Sequence, residues 1–172
     1  MARVITPRDS GAPGRVVPVL STFLFVLISV VPLQIPGLAA VTPSFALMAV
    51  AHWTIYRPDL LPQSAVFLLG LLLDLLNGTP YLGASALVLL IARTAVLIAR
   101  RYFVNRDFAV LWLGFLALSC ATFVFSWAFI SVLGGHILGT RPFLFEAALT
   151  VACYPVGSYI LARLQRALLR TA

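Results

Sequence analysis

The chain contains no lysine and five acidic residues, so charged side chains make up only 10% of its 172 residues. A soluble domain carries roughly 25% charged and about 45–50% apolar residues. Here the apolar share is 62% and the mean hydropathy is +1.05. That much apolar surface cannot be hidden from water, and the chain reads as an integral membrane protein forming one unit. Cysteine is scarce too: Cys120 and Cys153 lie inside apolar runs, where cysteine behaves as a small hydrophobe, and they say nothing about redox compartment. His52 and His136 stand far apart with no partner at ligand spacing, so no metal site and no cofactor are expected. There is no phosphate-binding glycine loop, no G-x-S-x-G and no H-E-x-x-H. With no nucleophile and base in reach of one another, a lipid-modifying enzyme is excluded as well.

What the sequence does have is arginine. All twelve basic residues are arginine, and the net charge is +7. They fall in short runs between apolar segments rather than on one basic face, which speaks against nucleic acid and for topogenic charge. Six apolar segments approach the roughly 20 residues of a spanning helix: 16–36, 39–56, 60–77, 83–100, 108–134 and 143–164. They predict an all-α polytopic bundle over 16–164, with cytoplasmic tails at 1–15 and 165–172 and a retained first helix rather than a signal peptide. Arg3, Arg8, Arg15, Arg57, Arg100, Arg101, Arg106, Arg163, Arg166 and Arg170 then face inward, against Arg141 alone outside and Arg93 inside the fourth segment. This asymmetry places both termini in the cytoplasm. On that orientation Trp53, Tyr56, Tyr102 and Trp112 are expected at the inner interface, where amphipathic rings collect. The second segment makes the weakest span: Pro43 is expected to open its helix, which leaves about 14 helical residues and residues 37–42 as irregular backbone shielded by neighbours. Pro155 with Gly157 is expected to kink the sixth. No connecting loop is large enough for an extramembrane domain.

Carboxylates inside the apolar segments stand out, because a charge in hydrocarbon costs about 2.5–3.5 kcal/mol even on the mildest insertion scale. Asp74 sits near the far end of the third segment and Glu146 near the start of the sixth, at a common depth. With Arg93 and Arg141 they form a candidate intramembrane charge cluster. Few other polar residues are expected to point into the bundle. Gly70 lies one turn before Asp74 on the same face, where a missing side chain lets another backbone come near. Gly78, Pro80 and Gly83 read as turn and cap residues, and Gly83-Ala84-Ser85-Ala86 as a small-residue helix contact. Asp59, in the turn Arg57-Pro58-Asp59, is expected to cap the third helix.

The stretch Pro62, then Gly70-Leu-Leu-Leu-Asp74-Leu-Leu-Asn-Gly78-Thr-Pro80-Tyr-Leu-Gly83, followed by an apolar helix, resembles the rod shape-determining protein MreD family. The family pattern is a glycine, an aspartate four residues on, then a G-x-P-x-G-like turn; Tyr81 departs from it slightly and leaves the aspartate untouched. The resemblance implies a non-enzymatic component of the bacterial inner membrane. Its implied partners are the bitopic protein MreC and, directly or through it, the actin-like MreB and the RodA/penicillin-binding-protein synthase of lateral peptidoglycan growth. It further implies a bundle like the substrate-binding S-components of vitamin-uptake (ECF) transporters, and such a transporter component is the alternative function. Gly70, Asp74, Gly78, Pro80 and Gly83 are then the expected partner-binding or structural motif, on a groove lined by the third and fourth helices.

Overall fold

The computed structural model describes residues 12–31, 42–79, 81–103, 107–134 and 141–171. These residues form six α-helices: α1 Ala12–Val30, α2 Phe45–Tyr56, α3 Gln63–Asn77, α4 Ala84–Phe103, α5 Phe108–Gly134 and α6 Arg141–Thr171. A single 3-10 turn, Pro58–Leu60, links α2 to α3. The fifth segment has the bounds read from its hydropathy. The sixth helix runs unbroken through Pro155 and continues over residues 165–171, so the expected C-terminal tail is helical. Residues 37–41 of the expected irregular stretch, and Pro80, lie outside the described residues.

α5 and the Phe143–Ala167 part of α6 are long and apolar enough to cross a membrane, while α1, α2 and α3 offer shorter apolar stretches. At 12 residues, α2 spans about 18 Å at 1.5 Å per residue, well short of the roughly 30 Å hydrocarbon layer. It survives because it is the centre of the bundle: every residue from Ala46 to Ile55 is buried. α1, α4 and α6 pack around it.

A helix buried from Ala46 to Ile55 must find partners for its free amides and carbonyls. Neighbouring helices supply them. The Ser44 amide donates to Thr150 Oγ1 of α6 at 2.9 Å, and the Ala46 amide to Ser29 Oγ of α1 at 3.0 Å. At the other end, Arg100 Nε of α4 donates to the Ile55 carbonyl at 2.7 Å.

Trp53 departs from the expected interfacial position. Its ring is fully buried and its Nε1 donates to Ser21 Oγ of α1 at 2.9 Å. The indole is a polar rivet in the core, because its helix is enclosed on all sides. Tyr56 and Tyr102 stay on the surface. Asp59 also departs from expectation: α3 begins after Pro62 with no side-chain cap, and Asp59 is taken up in the preceding 3-10 turn.

Candidate functional site

The most extensively packed helix pair is α3, which carries Gly70 and Asp74, and α4, joined by the turn that ends the motif. α3 stops at Gly78, whose φ of +60° lies in the left-handed region open to glycine without a Cβ clash. The Gly78 amide donates to the Leu75 carbonyl and the Thr79 amide to the Asp74 carbonyl, which closes the helix end. The chain then reverses through Gly83, at φ +98°.

This reversal sets the first amides of α4 directly over the Asp74 side chain. The Gly83 amide donates to Oδ2 at 2.9 Å. The Ser85 amide donates to both oxygens, Oδ1 at 3.0 Å and Oδ2 at 3.1 Å. Thr79 Oγ1 adds a longer contact to Oδ1 at 3.4 Å. Asp74 is fully buried. It therefore caps α4 from the preceding helix, and its carboxylate is met by backbone amides and the positive end of a helix dipole.

Gly70 works on the same joint. A Cβ built there would overlap the Cα and nitrogen of Ala86, so the two backbones meet with no side chain between them. The small-residue stretch of α4 is the other half of that contact.

Arg93 does not join the carboxylates. From its position on α4 it lies eight residues past Ser85, about 12 Å along the axis. Its Nη2 reaches the other way, to the Leu61 carbonyl at 3.0 Å and the Pro58 carbonyl at 3.5 Å. The turn between α2 and α3 exposes carbonyls that no helix satisfies, and a buried guanidinium with several donors is suited to them. Arg93 and Arg100 together tie α4 to the α2–α3 turn and to the end of α2. Among the described residues no ion pair connects Asp74 or Glu146 to an arginine; the side chain of Arg141 lies outside the described ones.

Asp74 and Glu146 do share a cavity. A cleft of about 210 Å³ lies at the end of the bundle that carries the α3–α4 turn, and both carboxylate residues line it. Ser44, Asn77, Tyr81 and Ser126 add polar groups, so the interior is more polar at this end than the apolar segments suggest. These residues come from five helices or their ends. Their spacing in the sequence gives no sign that they meet; the hydroxyls of α5, Thr122 and Ser126, read as isolated polar residues in an apolar run.

The family model described as rod shape-determining protein MreD matches residues 13–156. The chain belongs to the MreD family. That match runs from α1 into α6 and takes in the Asp74 hairpin and Glu146. Comparison with curated proteins and with solved structures returned no match. Membership in the MreD family makes this a bacterial membrane protein and a structural component of the machinery that determines rod shape. In this member, Gly70, Asp74, Gly78 and Gly83 make up one helical hairpin, in which each residue closes, caps or narrows the joint between α3 and α4.

Proposed function

We propose that this chain is a non-enzymatic scaffold of the cell-wall elongation machinery in the bacterial inner membrane. Its six helices are read as a multi-pass bundle with both termini cytoplasmic, on the arginine asymmetry of its connecting segments. Residues 1–15 and the end of the chain from 165 are the cytoplasmic tails, and the α3–α4 turn faces outward. The scaffold binds the transmembrane helix of an MreC-like bitopic partner and, directly or through it, MreB and the RodA/penicillin-binding-protein synthase, and so helps to control lateral peptidoglycan synthesis.

The observation that carries this reading is the locked α3–α4 hairpin. Without water to compete, helices associate in a bilayer through close packing and hydrogen bonds, so a partner needs a rigid face to pack on. Asp74 and Gly70 fix the angle and spacing of the two helices from inside. Leu68 and Leu75 on α3, and Ile91 and Ile98 on α4, repeat at heptad spacing on exposed faces. Gly70, Asp74 and Gly83 thus act on the partner through the shape of that face. The test is recovery of the partner after purification in mild detergent from the native membrane, read by mass spectrometry. Asp74→Ala is expected to lower recovery of a bitopic MreC-like protein while membrane insertion persists; unchanged recovery and normal rod shape would remove Asp74 from the function.

The cleft beside Asp74 favours a second reading, a substrate-binding component like those of ECF vitamin transporters. Small-molecule sites combine apolar walls with a few placed polar groups, and this cleft has both. Co-purification of an ATPase module or a bound vitamin would select it over the scaffold.

A further inference from the structure

The cleft at the α3–α4 end is unequal in how its two carboxylates are met. Asp74 has three amide contacts and a hydroxyl. Glu146 lies within the apolar span of α6, and its backbone carbonyl accepts Thr150 Oγ1 at 2.7 Å. Among the described residues no hydrogen bond or ion pair reaches its carboxylate, and none of the cleft-lining residues is cationic. A carboxylate at membrane depth ordinarily pairs with something. Here the cavity in front of it is large enough to admit a small head group.

The cleft also has an apolar continuation. A second groove runs along the outside of the bundle over Leu82, Leu87, Leu90 and Leu133. Tyr81, Ala84 and Phe129 line both the groove and the cleft. A ligand that fits the pair has a compact cationic head and a long apolar tail. Asn77 and Tyr81, on the turn side of the cleft, carry donors suited to an adjoining phosphate.

We propose that this cleft binds the ammonium head group of a phospholipid, with Glu146 as its counter-ion and an acyl chain lying in the adjoining groove. The ammonium donates its N–H groups to the Glu146 carboxylate, and the Ser126 and Ser44 side of the cleft completes a polar lining. A transmembrane helix would cover the outer groove but is too wide to fill the cleft, since a helix with its side chains is about 10–12 Å across.

Native mass spectrometry of the full chain in detergent tests this, with phosphatidylethanolamine or the amine-free phosphatidylglycerol added at equal concentration. One phosphatidylethanolamine is expected to stay bound in preference to phosphatidylglycerol. Glu146→Gln keeps the shape and removes the charge, and should lower that retention about tenfold, the loss expected for one charged hydrogen bond. Equal retention by both proteins, or no preference between the lipids, overturns the proposal. The thermal midpoint in phosphatidylglycerol serves as the folding control. If Glu146→Gln lowers it, Glu146→Asp decides instead: a preserved preference supports the site, and a lost one overturns it. Free ethanolamine raising the wild-type midpoint as much as the lipid does would assign the cleft to a soluble amine and overturn the lipid. Loss of the bitopic partner in Glu146→Gln, with lipid retention unchanged, would assign it to a polypeptide and overturn the lipid equally.

Discussion

Both oxygens of Asp74 accept the amide of Ser85, at 3.0 and 3.1 Å, so a carboxylate on one helix caps the next. The arrangement predicts a graded response to substitution. Asp74→Ala strands the Gly83 and Ser85 amides in a buried site and should cost about 1–3 kcal/mol. Asp74→Asn keeps one acceptor oxygen and should cost less. The thermal midpoint of the purified protein in detergent reads both. Equal midpoints for alanine and asparagine would mean that the amide bonds contribute nothing.

Two glycines predict opposite tolerance to the same change. At Gly70 an added methyl meets the backbone of Ala86, which cannot move without parting the helices. Gly70→Ala should therefore cost about 1–3 kcal/mol through overpacking. Ala86→Gly should fail to rescue it, because the obstacle is main chain. At Gly157 the nearest atom is Sδ of Met48, at 3.0 Å. Thioether side chains readily shift, so Gly157→Ala should change the midpoint little. A large loss at Gly157 alongside tolerance at Gly70 would reverse this account.

The short central helix makes a third prediction. Arg100→Met removes the donor to the Ile55 carbonyl while keeping the aliphatic stem. The stranded carbonyl should cost about 1–3 kcal/mol. Hydrogen exchange should accelerate over the last turn of α2 before it does elsewhere in that helix. Exchange that rises uniformly, or not at all, would count against a local cap.

Some of this was legible from the sequence because hydropathy and turn chemistry are local. The extent of α5 follows from one unbroken apolar run, and the chain reversal after Asp74 from the glycines beyond it. What escaped the sequence is the direction of polar side chains across the bundle. Depth alone groups Arg93 with the carboxylates, but its guanidinium reaches back to the α2–α3 turn and pairs with carbonyls there. Depth fixes how far along a helix a residue sits, not which neighbour it faces. Rings such as Trp53 often anchor at an interface, a tendency that does not apply to a helix buried from Ala46 to Ile55. The cleft stayed hidden for the same reason: Ser44, Ser126 and Glu146 belong to separate segments, and only packing brings them together.

The buried indole supplies the last prediction. Trp53 Nε1 donates to Ser21 Oγ, whose own hydroxyl donates to the Pro18 carbonyl at 3.0 Å. α1 is thereby tied to the central helix through a side-chain pair. Trp53→Phe and Ser21→Ala should each destabilise the protein, and the double variant should lose less than their sum. Coupling energies between polar side chains in membrane bundles average about 0.6 kcal/mol and reach about 1.7 kcal/mol, and this pair should fall in that range. A variant keeping Trp53 as its single tryptophan gives an independent reading: emission should be blue-shifted and resist aqueous quenchers, since the ring is fully buried. Additive losses together with a quenchable tryptophan would place the ring at the surface and take away the tie between α1 and α2.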